Sequence, residues 1–301
     1  TPFPSGFDSR NYYMNISNLV AQQGELISGY PPYNGSLINA IGLLLFGQIE
    51  LSLSISLSGV ILVLLMSYRI AVDKLQFDKN RAAFLVALIA VVPAIVNQMY
   101  IEMKVDFMLL FFQLLAVYFL FEIDEKYISL SKPIENIKRL VWKIMPLAAF
   151  LGILLGFGMG IKMINLFLVV VMFVMMMWDR DNNWSGLGVI CLGLMIFFLG
   201  GIDDISGLRK YHYNVGILSI ILGLVGIILL AVGIYFHRHS TIRRILFSSV
   251  VAAFLVLTIS PWVIKNYLDT GSADPKTILM GSSPGPKIGL RKMVKNYENK
   301  K

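Results

Sequence analysis

The chain has 301 residues, of which 56% are hydrophobic and 15% charged, and its formal net charge is +8. Soluble domains carry about 25% charged residues, so a water-soluble fold of this composition would expose too much apolar surface. The apolar runs are continuous rather than alternating, which argues against a transmembrane barrel and for an all-α polytopic transmembrane helical bundle.

Basic loops orient membrane helices and meet anionic lipid, so the positive charge does not call for nucleic acid. Cys191 is the sole cysteine, which excludes an internal disulfide and a cysteine-based metal cluster. The chain opens on Thr1-Pro2 with no charged segment leading into an apolar core, so no signal peptide is visible. The expectation is a fragment whose first helix is missing.

Residues 1–50 read as an outer loop with juxtamembrane helices. Gly6-Phe7-Asp8-Ser9-Arg10-Asn11-Tyr12-Tyr13 is polar and aromatic, and Gly29-Tyr30-Pro31-Pro32-Tyr33-Asn34-Gly35 follows. Asp8 beside Tyr12 and Tyr13 suits a base held at the water–lipid boundary. Taken alone, the stretch reads more readily as a solvated loop with interfacial tyrosines. Residues 17–27 fit a short amphipathic helix. Residues 36–46 are apolar but too short to cross, and Pro31-Pro32 forbids helix before them, so they read as a re-entrant or interfacial helix.

About eight spans follow, near 51–72, 82–100, 105–121, 145–161, 164–178, 187–202, 215–236 and 245–264. Residues 51–264 form the transmembrane domain and 265–301 a basic outer tail. Ser52, Ser54, Ser56 and Ser58 of the first span are able to bond back to their own backbone or across to another helix. Basic residues favour one side, with Arg69, Lys74, Lys79 and Arg81 after the first span and Arg238, Arg243 and Arg244 after the seventh. Positive-inside counting makes that side cytoplasmic. Asp8, Glu102, Lys104, Asp106, Lys162, Asp203, Asp204, His212 and Lys265 then fall on the outer face or just inside it. The basic tail strains this orientation.

Charged groups at shallow membrane depth are expensive unless paired or functional. Glu102 and Asp106 are spaced to share a helix face, with Lys104 turned away. A carboxylate pair at a cavity mouth and charged punctuation of a tight hairpin are equally good readings. Gly152-Ile-Leu-Leu-Gly156-Phe-Gly158-Met-Gly160-Ile-Lys162 admits a closely approaching helix and delivers an ammonium to the membrane edge. There it would oppose a lipid phosphate or, as lone lysines more often do, snorkel. In Ser260-Pro261-Trp262-Val263-Ile264-Lys265-Asn266 the Pro-Trp pair reads as a kink and an interfacial anchor, with Lys265 and Asn266 at headgroup depth. No phosphate-cradling loop, zinc spacing or nucleophile elbow is present in the sequence. Asn15-Ile16-Ser17 and Asn34-Gly35-Ser36 match the N-glycosylation pattern.

Together these stretches resemble the membrane-embedded glycosyltransferases of the GT-C superfamily, in the branch of protein mannosyltransferases and lipid A aminoarabinose transferases. The opening GFDSRNYYMNISNLVAQQGELISGYPPYNG is similar to that family's first outer loop. YIEMKVDF, LGILLGFGMGIK and SPWVIKNYLDTG resemble its later acidic, glycine-rich and Pro-Trp segments, in the same order over residues 6–272. The resemblance implies inverting transfer of a hexosyl or pentosyl group from a polyprenyl-phosphate carrier to an acceptor hydroxyl of a protein, lipid or glycan. It gives Asp8 and Asp106 catalytic places. It sets Tyr12, Tyr13, Glu102, Lys162, Lys265 and Asn266 around the substrate, at an extracytoplasmic face. A carboxylate at Asp8 or Asp106 suits Mg²⁺ or Mn²⁺, though no metal ligand is assigned. The sequence departs from the family in Ser9, where many relatives carry a second acid, and in Lys265, where the family has arginine. A transporter or flippase of lipid-linked saccharide is the alternative, using the same charges without bond chemistry. A scaffold with no site of its own is the third reading.

Overall fold

The structure is a computed structural model and describes residues 13–27, 30–93, 95–96, 104–124, 137–178, 183–199, 215–272 and 277. All regular structure among these is helical. Ten helices follow in order: α1 Met14–Gln23, α2 Asn34–Phe46, α3 Ile49–Asp73, α4 Lys79–Ala90, α5 Asp106–Ile123, α6 Ile137–Ile161, α7 Asn165–Met177, α8 Asn183–Leu199, α9 Val215–Phe236 and α10 Arg238–Thr270.

Five of these regions are long and apolar enough to cross a membrane: Ile49–Asp73, Asp106–Ile123, Ile144–Ile161, Gly216–Phe236 and Ser240–Thr270. Helices α2, α7 and α8 are apolar but shorter; thirteen residues rise only about 20 Å against a hydrocarbon core of about 30 Å. Along α9, Ile217, Ile220, Ile221, Leu224, Ile227 and Ile228 are all exposed. An apolar face of that extent is at home against lipid and not against water.

Local chemistry sets the helix ends. Gly24, Gly47 and Gly271 close α1, α2 and α10 in the left-handed conformation that glycine adopts without strain. Asp78 caps α4, accepting from the backbone N–H groups of Asn80 and Arg81 at 3.0 Å. Within the span expected at 82–100, α4 ends at Ala90 with Val91 as its cap, and helical backbone resumes at 93, 95 and 96. Proline disfavours the helical conformation in the residue before it, and its ring clashes with the preceding turn. Residues 97–103 lie outside the described set.

The last span differs in the opposite sense, for α10 runs straight through Pro261 to Thr270. Proline cannot donate to the carbonyl four residues earlier, Leu257, but the Ser260 hydroxyl donates to it instead at 2.8 Å.

Two helix pairs depend on glycine. Helices α6 and α10 pack so closely that a Cβ on Gly152 would overlap the Val251 carbonyl, and one on Gly156 would stand 2.7 Å from the Leu255 carbonyl. Gly188 of α8 and Gly226 of α9 face each other in the same way. Leu151, Leu155, Met172, Met176, Phe247 and Val251 make a continuous core between α6, α7 and α10, which α1 and α5 join through Ile16, Leu19, Ala116 and Leu120. The serines of α3 split as the sequence allows. Ser54 and Ser58 bond to their own helix, whereas Ser52 reaches the Asn39 carbonyl and Ser56 the Lys104 carbonyl.

The helices alternate in direction, giving the bundle two polar ends. At the Arg244 end, Asp73 receives Arg69 at 2.5 Å and the Tyr118 hydroxyl at 2.8 Å, and Lys74 pairs with Glu122 at 2.7 Å. Arg244, only 4% exposed in its side chain, reaches Asp124 at 3.3 Å and donates to the Met176 carbonyl at 2.9 Å. That carbonyl lies in the last turn of α7, where backbone acceptors have no helical partner.

Candidate functional site

The other end carries the sequence-predicted groups that fall within the described residues: Tyr13, Asp106, Lys162, Lys265 and Asn266. Asp8, Tyr12 and Glu102 lie outside them, as do Asp203, Asp204 and His212.

Asp106 is the first residue of α5, and Lys162 follows the last residue of α6. Antiparallel packing of these helices brings the Lys162 ammonium to 2.6 Å from the Asp106 carboxylate. The two side chains are 35% and 40% exposed, so solvent still reaches the pair. The Tyr13 ring lies 5.9 Å beneath the same ammonium, close enough for the ring face to attract it. The lone-lysine reading of Lys162 is thereby corrected: the side chain has a carboxylate partner from another helix.

Lys265 and Asn266 lie near the end of α10. The Lys265 ammonium bonds to Asp269 at 2.9 Å and to the Asn266 side-chain oxygen at 3.3 Å, with the Trp262 ring 5.9 Å away. Asn266 is fully buried, so its amide serves here as an internal acceptor. Trp262 is also buried, at 5% exposure. The expected interfacial anchor is therefore an internal strut, because its indole N–H donates to the Asn34 side-chain oxygen at 2.8 Å and its ring packs on Tyr33 at 4.8 Å.

Asn34 joins the two lysine regions. Its amide nitrogen donates to the Phe157 carbonyl at 3.2 Å while its oxygen accepts from Trp262. It fits because Gly160 has no side chain; a Cβ there would occupy the amide's place. One polar group thus ties the start of α2 to the ends of α6 and α10, which carry Lys162 and Lys265. Gly158 plays the same part for Asn165, whose amide bonds to Leu155 and Gln113. The glycine run therefore admits one helix, at Gly152 and Gly156, and two asparagine amides. A glycan on Asn34 would need the space that α6 fills, and Ser17 of the other glycosylation pattern is buried, donating to the Tyr13 and Ser36 carbonyls.

Tyr33 completes the end. Its hydroxyl accepts from the Ile27 N–H at 2.6 Å. Burial pushes its pKa up to about 12, opposed by that hydrogen bond and aided by the nearby negative charge of Asp269. Asn39, further along α2, is wholly buried, and among the described residues neither atom of its amide has a hydrogen-bond partner.

Asn34 and Asp269 did not stand out in the sequence. A polar side chain in the first turn of an apolar helix is the signal that the sequence holds for Asn34. Among the described residues no group of three His, Cys, Asp or Glu side chains is able to hold a metal ion, and the Asp106 carboxylate faces an ammonium. The described residues thus do not by themselves build a Mg²⁺ or Mn²⁺ site. No protein family, curated protein or solved structure matches the chain.

Proposed function

We propose that the protein is an integral-membrane glycosyltransferase of GT-C type, taking a sugar from a polyprenyl-phosphate carrier and passing it to an acceptor hydroxyl with inversion. What supports the reading is that Tyr13, Asp106, Lys162, Lys265 and Asn266, contributed by separate segments of the chain, share one end of the bundle and are coupled there through Asn34. In this reading the chain crosses the membrane about eight times, and the Lys162 end faces away from the cytoplasm.

In this reading Asp8 removes the proton of the acceptor hydroxyl, which attacks the anomeric carbon on the face opposite the phosphate. A positioned base of this kind contributes about 10²–10⁴-fold. The carrier phosphate leaves with negative charge, which Lys162 and Lys265 stabilise in a partly dry site. Asp106 fixes the Lys162 ammonium in position, and Tyr13 lines the base of that pair.

The deciding experiment supplies labelled lipid-phosphate sugar to membranes carrying the protein or its Asp8→Asn variant. Transfer by the parent and loss of about 10² or more in the variant is the expected result. Equal transfer by both would remove Asp8 from the mechanism. Movement of carrier across liposomes with no transfer would replace the enzyme with a flippase.

A further inference from the structure

Helix electrostatics place Asp106 well and Asp269 badly. Asp106 opens α5, where a carboxylate meets the positive end of the helix dipole. Asp269 lies in the last turn of α10, next to its final residue Thr270, where the dipole end is negative. Its bridge to Lys265 also runs the weaker way round, since stabilising pairs four residues apart have the acid on the N-terminal side. A helix end selected for stability alone would carry a neutral or basic residue there. Nevertheless the pair is drawn in, with side chains 10% and 21% exposed.

An ammonium has three N–H donors. On Lys265, Asp269 takes one and Asn266 another, with the Trp262 ring beside them. Asn266 is fixed by burial, and the indole is fixed by Asn34. Asp269 is the partner that is least favoured where it stands. A phosphate oxygen offers Lys265 the same acceptor chemistry with a larger charge, and release of Asp269 relieves its conflict with the dipole.

We propose that Asp269 is a resident anion that occupies Lys265 until a lipid-borne phosphate group displaces it, so that Asp269 sets the affinity of the site. This rests on the reading of Lys265 as a phosphate-facing group. The phosphate belongs either to an isoprenoid carrier or to a bilayer headgroup, which share the chemistry.

The test is equilibrium binding of radiolabelled farnesyl phosphate to the full chain in phosphatidylcholine nanodiscs. Asp269→Asn should tighten binding roughly threefold to tenfold, the scale of one dipole and one pair term. Asp269→Glu, which keeps the charge, should return it to the parent value. Lys265→Gln should weaken binding at least tenfold and abolish the gain from Asp269→Asn. Adding phosphatidylglycerol separates the sources. Unchanged farnesyl phosphate binding assigns the site to a carrier, and competition assigns it to headgroups; the exchange stands in both cases. The proposal is overturned if Asp269→Asn binds no more tightly than the parent, or if its gain survives Lys265→Gln. Binding is read without sugar transfer, so a protein that exchanges anions but transfers nothing would refute the enzyme and leave the exchange intact.

Discussion

At the Arg244 end, charges interlock: Arg69, Asp73 and Tyr118 form one chain of contacts, Lys74 and Glu122 sit beside it, and Arg244 reaches both a carboxylate and a helix-ending carbonyl. At the Lys162 end the described residues include two ion pairs, Lys162–Asp106 and Lys265–Asp269, and a neutral amide, Asn34, joins the helices that carry the two lysines. The difference separates two uses of charge in a bundle of this kind. Where ionic groups also cap helices and bridge three or four of them, removing one leaves others unsatisfied. Where the joining is done by an amide and an indole, a lysine is able to exchange partners without loosening the helices.

The largest effect should come from Arg244→Met. It strips a buried partner from the Met176 carbonyl and from Asp124, and removing one side of a buried ionic contact costs about 3–5 kcal/mol. The 3.3 Å distance and the part-exposed Asp124 reduce this to about 2–3 kcal/mol. Thermal unfolding in detergent would read it, and no change there would break the comparison. Asn34→Ala should come next, at about 1–3 kcal/mol for two lost hydrogen bonds, one from a buried indole. It should also make Lys162 and Lys265 react faster with an amine-modifying reagent, whereas Arg244→Met should not. Lys162→Met should cost under about 1 kcal/mol of stability, as part-exposed pairs do, while the sugar transfer proposed above should fall about 10²-fold. Equal losses in both would make that end structural like the other.

How much of this was legible follows from which forces act locally. Continuous apolar runs specify the bundle, and the regions expected at 51–72, 105–121, 145–161, 215–236 and 245–264 match long apolar helices to within a residue or are contained in them. Proline was harder to read, because its effect depends on neighbours. Pro93 lies where helical backbone resumes after the break that follows Ala90, yet Pro261 is carried inside α10 by the Ser260 hydroxyl. Trp262 read as a belt residue because indoles favour interfaces, but a partner remote in sequence, Asn34, draws it inward. The Asp106–Lys162 pair joins residues that no local pattern connects, so each was legible as a charged helix end and their contact was not.

Two smaller effects sharpen the picture. Asn39→Leu should leave stability unchanged or raise it by about 1 kcal/mol, since the amide it removes has no partner among the described residues; a large loss in thermal unfolding would mean that the amide is satisfied in the working protein. Tyr33→Phe concerns pH. Its hydroxyl titrates at an ordinary value of 10.0 when unfolded and near 12 when folded, so the unfolded chain loses its proton first. Stability contributed by the neutral phenol is therefore complete below about pH 10 and declines as pH rises toward 12. Unfolding curves of Tyr33→Phe over that window should be flatter than those of the parent.

The uninterrupted course of α10 has a mechanical corollary. Between Arg244 and Lys265 it carries no charge and rises about 31 Å at roughly 1.5 Å per residue, close to the thickness of a bilayer's oily interior. The segment is a built-in gauge: thinner lipid must be met by leaning, and the lean carries Lys265 sideways relative to the shorter neighbours. If the chain transfers sugar as proposed, the rate of transfer should accordingly track the acyl-chain length of the host membrane.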